Sequence, residues 1–176
     1  HGLFAVDEWA RHHNCRVLEP ERIKTVSGKL LAGEPVLFWS EFPIAGPAPV
    51  GVNAAPAPEA ADFALTLSPA GNALHLTPRI GVLGIGCRRG TTAEQLEAAF
   101  SAFCAAHTLC IAAAASIDLK QNEAGLLAFC AAHRWGLSFF SAEALQTAPG
   151  SFTPSAFVRN VTGVDNVCER AAVLAS

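Results

Sequence analysis

Two arginines stand inside a glycine-rich stretch, Gly84-Ile85-Gly86-Cys87-Arg88-Arg89-Gly90-Thr91-Thr92. Glycines let a backbone approach a ligand closely, and the helix that follows offers unpaired N–H groups at its start. Arg88 and Arg89 add forked donors suited to carboxylates. Gly84, Gly86, Cys87, Arg88, Arg89, Gly90 and Thr91 are therefore candidate anion-binding residues. The competing reading is a strand-to-helix turn with solvated arginines. Thr91 with Glu94, or Thr92 with Gln95, also fits a capping box. The dinucleotide spacing G-x-G-x-x-G fails because Arg89 stands where the third glycine belongs, and there is no G-x-x-x-x-G-K-[ST] loop.

A second group follows at Ser116-Ile117-Asp118-Leu119-Lys120, with Glu123 beyond it. Period-two alternation would put Ser116, Asp118 and Lys120 on one face at the end of a strand, where open α/β sheets bind ligands. An acid and a cation there suit general base and electrophile roles, while a surface ion pair and a helix-dipole carboxylate explain the same residues. Ser155, Phe157, Val161-Thr162-Gly163-Val164 and Cys168-Glu169 supply a further edge, equally accounted for by a tight turn between two helices at Gly163. Arginines beside Cys87 favour a lowered thiol pKa, but no histidine partner is assignable and no G-x-S-x-G elbow occurs.

Phe-Cys-Ala-Ala-His occurs twice, ending at His107 and His133. Cys104, His107, Cys130 and His133 have ligand types for tetrahedral zinc. Each copy also lies at the end of an apolar helical pattern, where a buried Cys and a dipole-facing His need no metal. The expectation is helix ends and no stoichiometric zinc. The six cysteines are spread without a C-x-x-C pair, so no disulfide framework is implied.

The elements that must position these groups alternate in the second half. Strands are expected at 80–85, 111–117 and 137–140, with helices at 91–106, 122–135 and 141–145, the second closed by Gly136. Two short helices follow, one opened by Thr153-Pro154 and one by an Asn166/Glu169 capping box. In the first half, helices are expected from a cap at Asp7 to about His13 and over 21–32, with Gly33 just past the second. Strands are expected at 36–39, 63–67 and 74–76. The proline-rich stretch 42–58 reads as loop. The fold class is α/β, a small region to about residue 77 and a compact module from 78 onward with a mainly parallel sheet.

Composition narrows the function. The 176 residues are 51% hydrophobic and 15% charged with net charge −3, which excludes charge-driven disorder and a global field for nucleic acid or anionic membranes. The longest apolar run, Leu109 to Ile117, is about half the ~20 residues a membrane span needs. The chain has no Met and starts at His1 without a signal-peptide pattern, so it is expected to be a piece of a longer cytoplasmic protein.

Taken in order, Gly84 to Thr91, Ser116 to Leu126, Phe139 to Glu143, Val161 to Val164 and Val167 to Glu169 closely resemble the C-terminal domain of the cobalamin-biosynthesis proteins CbiG and CobE. Gly2 to Ala10 and the helix around Ile23 to Leu31 resemble the segments that precede this module in CbiG, with residues 1–6 left from an N-terminal domain. CobE generally consists of the C-terminal module alone. The resemblance implies a cobalt-precorrin-5A hydrolase, which opens the ring A acetate δ-lactone and releases acetaldehyde. It also implies a tetrapyrrole substrate that carries its own cobalt, and no resident cofactor or metal. On this reading Asp118 or Glu123 activates water and Lys120 stabilises developing charge. The glycine-rich stretch with Ser116, Thr162 and Gly163 binds substrate. The alternatives are a CobE-like module that binds a corrinoid intermediate without chemistry, or a scaffold for other pathway enzymes. A homodimer is compatible with either.

Overall fold

The computed structural model describes residues 4–44, 46–106 and 109–176. It divides into two compact units, one reaching Arg79 and including Leu109 and Cys110, the other formed by the remaining described residues from Ile80 onward.

The first unit contains α1 (Val6–His12), β1 (Cys15–Val17), α2 (Ile23–Leu31), β2 (Val36–Ser40), β3 (Val52–Ala54), β4 (Phe63–Leu65) and β5 (Leu74–Pro78). The sheet order is β1-β5-β4-β2-β3, parallel except where β1 runs against β5. Alternation along the strands sends Val36, Phe63, Leu65, Leu74 and Leu76 into one core with Val6, Ala10, Val26 and Leu30 from the helices. Trp39, Ala64 and His75, in register with one another, take the other face. Three expectations are corrected. The proline-rich stretch holds β3, because Val52–Ala54 is free of proline and can pair with β2. The cap of α1 is Ala5, with Asp7 placed in the first turn near the positive end of the dipole. The start expected for the second helix is a 3₁₀ turn, Pro20–Arg22.

The second unit contains β6 (Gly81–Gly84), α3 (Ala93–Ala106), β7 (Ile111–Ile117), α4 (Ala124–His133), β8 (Gly136–Phe140), α5 (Ala142–Gln146), α6 (Ala156–Thr162) and α7 (Cys168–Leu174). Its sheet is wholly parallel in the order β6-β7-β8. Central β7 is buried on both faces, which is why it reads as a continuous apolar run. Ala114 packs in the layer holding Leu126, Phe129 and Cys130, while Ala115 and Ile117 join Leu145, Val164, Val167 and Ala171 on the opposite face.

The capping chemistry is resolved in detail. Thr92 caps α3: its N–H donates to Gln95 Oε1 at 3.0 Å, and the Gln95 N–H returns to Thr92 Oγ1 at 3.3 Å. Helix α4 is shorter than expected and ends on Arg134 in the left-handed region, while Gly136 opens β8. Ser155, rather than the Thr153-Pro154 pair, caps α6. Asn166 Oδ1 accepts the Glu169 N–H at 2.8 Å, but the Glu169 carboxylate turns to the Thr153 N–H, so only half of the expected box forms.

His107 lies outside the described residues. Burial pushes the Cys130 thiol up to about 11, and His133 Nε2 sits 2.6 Å from a Glu97 carboxylate oxygen with its ring stacked on Trp135. Among the described residues no three His, Cys, Asp or Glu side chains gather to hold a metal ion, and no helix is long and apolar enough to cross a membrane.

Candidate functional site

Strands β6 and β7 end at Gly84 and Ile117 on the same edge of the second sheet, and the turns that leave them form two walls of a cavity of about 820 Å³. Segment 153–169 supplies the third wall, including α6 and the start of α7. Of the residues singled out from the sequence, Gly86, Cys87, Arg88, Arg89, Lys120, Glu123, Ser155, Phe157, Val161, Thr162, Cys168 and Glu169 line this cleft.

The others have different tasks. A β-carbon on Gly84 would lie 1.8 Å from the Cys168 carbonyl oxygen, so this glycine lets α7 pack on β6. Gly90 has φ +74°, a turn conformation that glycine adopts without strain, and its N–H donates to Glu123 Oε2 at 2.9 Å. Thr91 Oγ1 donates to the Arg88 carbonyl at 2.9 Å, which fixes the arginine-bearing turn from behind. Gly163 terminates α6. Ser116 is fully buried, its hydroxyl donating to the Ile85 carbonyl at 2.7 Å. The expected Ser116–Asp118–Lys120 face does not exist, because the strand stops at Ile117 and Asp118–Lys120 is a 3₁₀ turn. That turn brings Lys120 into the cleft and leaves Asp118 out of its lining.

The cleft's three carboxylates all have protein partners. Glu123 accepts from Gly90 and, at 3.2 Å, from Lys120 Nζ; the backbone N–H first and the ammonium second hold its carboxyl below the ordinary value. Burial pushes the Asp165 carboxyl up, but Arg170 at 3.1 Å and Arg159 at 3.2 Å outweigh this and leave it lowered. Glu169 is lowered chiefly by the Thr153 N–H, 3.1 Å from Oε2. The guanidiniums of Arg88 and Arg89, by contrast, are exposed in the lining and make no hydrogen bond or ion pair to a carboxylate among the described residues, although the Arg89 charge helps to lower Glu123. A site whose acceptors are engaged and whose strongest donors are free selects anions over cations.

Cys87 lines the same cleft, and burial pushes its thiol up. Lys120 opposes that shift and Glu123 adds to it, so the lowered pKa expected from the neighbouring arginines is not found. Burial likewise raises the Cys168 thiol. Neither is a poised thiolate.

The remaining wall is apolar. Leu119 is 62% exposed, Phe157 74% and Val161 62%, although all three line the cleft. The sequence pointed to Phe157 and Val161 only as part of an extra edge and gave no sign of Leu119, whose exposure follows from the 3₁₀ turn.

Two family profiles match in succession: one described as cobalamin biosynthesis central region over residues 4–81, and one described as cobalamin synthesis G C-terminus over residues 81–176. Among solved structures, the chain is similar to CobE, a protein from the cobalamin (vitamin B12) biosynthetic pathway, at 35% identity and TM-score 0.48, covering 52% of this chain and 67% of that one. It is also similar to a cobalamin biosynthesis protein G homolog from Sulfolobus solfataricus, at 14% identity and TM-score 0.45, covering 99% of this chain and 53% of that one. Cobalamin biosynthesis protein chiG from Agrobacterium tumefaciens matches at 26% identity and TM-score 0.42, over 55% and 79%. The chain thus spans about half the length of the Sulfolobus protein. No curated protein matches the chain at a significant level.

Proposed function

Because the chain belongs to the cobalamin synthesis G (CbiG) family and carries its central and C-terminal regions, we propose that it serves as a cobalt-precorrin-5A hydrolase. Water opens the ring A acetate δ-lactone to a carboxylate and a hydroxyl. The hydroxyl-bearing extruded carbon with its methyl then leaves as acetaldehyde as its carbon–carbon bond to the macrocycle breaks, the bond's electron pair staying on the macrocycle and the hydroxyl proton being lost. Cobalt arrives with the substrate, and the reading requires no cofactor held by the protein. The observation that carries the proposal is the pair of exposed guanidiniums without a hydrogen bond or ion pair among the described residues, in a cleft whose own carboxylates are engaged. A tetrapyrrole rimmed with acetate and propionate groups supplies the missing acceptors.

In this reading Arg88 and Arg89 anchor rim carboxylates. Lys120 holds one contact to Glu123 and has further N–H donors for the oxyanion or carboxylate that develops at the lactone. Glu123 is the positioning residue for that ammonium. Both of its oxygens already hold protein donors and its carboxyl is lowered, which makes it a weaker proton acceptor than a free carboxylate. Gly86, Cys87 and Thr162 complete the lining.

One observation favours a second reading, a module that binds a corrinoid intermediate without chemistry: every carboxylate lining the cleft is already hydrogen-bonded to a protein donor. Anaerobic incubation of the chain with cobalt-precorrin-5A separates the two. Acetaldehyde release that falls in the Lys120→Ala variant supports the hydrolase. Tight binding with no acetaldehyde supports the binding module.

A further inference from the structure

Exposed large apolar side chains are ordinary when scattered singly, but three of them in one cleft are a recognition feature. Leu119 comes from the turn after β7, and Phe157 and Val161 come from one face of α6, four residues apart. Each faces water for more than half of its surface while lining the cleft that holds the two unpartnered arginines. Small polycarboxylates would satisfy Arg88 and Arg89 but leave this apolar wall wet. A cationic segment would face the two arginines and meet carboxylates, Glu123, Asp165 and Glu169, that each already hold a protein donor. The occupant that matches both halves is a flat, largely apolar ring system with carboxylates on its rim, and the cavity, about 820 Å³, falls within the size range of pockets that take whole ligands.

We infer that Leu119, Phe157 and Val161 form a platform for the face of such a macrocycle and decide its selection over small polycarboxylates. The inference rests on the reading of the ligand as a tetrapyrrole. It fixes an orientation: the carboxylate-bearing edge lies at the turn between β6 and α3, and a ring face lies against α6. The arginines then supply attraction that any polycarboxylate shares, and the apolar wall supplies discrimination, because only a ring removes it from water.

Uroporphyrin I, a macrocycle with rim carboxylates, and citrate, which has carboxylates and no ring, separate the two contributions. A Phe157→Ser, Val161→Ser double variant should bind uroporphyrin about tenfold more weakly, the effect of withdrawing roughly 1.4 kcal/mol of apolar burial. Its citrate affinity should be unchanged. A Phe157→Leu, Val161→Ile variant should stay within about twofold of the parent for both. Since both side chains are exposed, the thermal midpoint should not move, and circular dichroism checks this. The inference is overturned if the parent chain does not bind uroporphyrin, or if the serine variant binds it normally. It is also overturned if citrate affinity falls in parallel, or if sedimentation shows that the substitutions abolish self-association and leave porphyrin binding intact. Ring binding that depends on the apolar wall, without acetaldehyde release from cobalt-precorrin-5A, would sink the hydrolase reading alone. Acetaldehyde release unaffected by the serine substitutions would sink the platform alone.

Discussion

Both units end parallel strands in a hollow, and the two hollows have opposite chemistry. In the first unit, the carboxyl ends of β2 and β4 border a space of about 500 Å³ lined by Trp39, Glu41, Glu59, Thr66, Ser68 and His75 among others, with no lysine or arginine among the described lining residues. Glu41 Oε2 accepts from the Leu67 N–H at 3.0 Å and the Thr66 hydroxyl at 2.8 Å, which hold its carboxyl low. His75 is buried with Nδ1 3.0 Å from a Glu19 carboxylate oxygen and Nε2 3.0 Å from the Ala70 carbonyl. Glu41 and His75 there are tied to protein groups, while the exposed Glu59 carboxylate makes no hydrogen bond or ion pair among the described residues. In the second unit a carboxylate plays the same part, since Glu123 ties the turn after β6 to the turn after β7, but unpartnered cations are added in front of it. The sheet edge by itself therefore does not make an anion site. What differs is the sign of the charge left over once the loops have been fastened, the exposed Glu59 carboxylate in the first unit and the arginines in the second.

The largest test of this contrast is the Arg88→Ala, Arg89→Ala double variant. It should lose about 3 kcal/mol of binding to a polycarboxylate macrocycle, two charge-assisted hydrogen bonds at ~1.5 each, or somewhat over a hundredfold in a titration. Glu41→Gln in the first unit should leave that titration unchanged; an equal loss from Glu41→Gln would break the comparison.

Next in size come two glycines. Gly84→Ala places a β-carbon against the Cys168 carbonyl, and the forced backbone shift should cost about 2 to 3 kcal/mol in denaturant unfolding. Gly28 lies inside α2 of the first unit with nothing within 4 Å of its added carbon, so Gly28→Ala should stabilise by about 0.5 to 1 kcal/mol. If Gly84→Ala is neutral, the close approach of α7 to β6 is not what that glycine serves.

The smallest effect is expected from Glu123→Gln, read against pH. The folded pKa of Glu123 lies below its ordinary 4.5, so its stabilisation is complete above that value and lost as pH falls through the folded pKa. The variant should melt a few degrees below the parent at pH 7, and the gap should close toward pH 3. Glu41→Gln should show the same sign by the same cause. A gap that persists in acid would mean that geometry, and not the ionised carboxylate, is what Glu123 contributes.

Much of the second unit was legible in the residues. Its alternating apolar runs gave β6, β7, β8 and the helices between them, because hydrophobic periodicity is a local property. The Thr92/Gln95 cap was legible for the same reason, and so was the placement of Arg88, Arg89, Lys120 and Glu123 at one strand edge. The first unit was less legible. β1 and β3 have three residues each, and their pairing with β5 and β2 is what makes them strands at all.

What only the tertiary structure decided was the use to which similar residues are put. Gly84 and Gly86 look alike in sequence, yet one faces the Cys168 backbone and the other lines the cleft. Ser116 and Asp118 were expected beside Lys120, but a buried hydrogen bond to Ile85 takes the first and a 3₁₀ turn carries the second out of the cleft lining. Residue type and spacing fix local conformation and the kinds of bond available. Which donors and acceptors remain unsatisfied depends on groups far apart in the chain, such as Gly90 with Glu123 or Thr153 with Glu169, and these meet only when the sheet and helices pack.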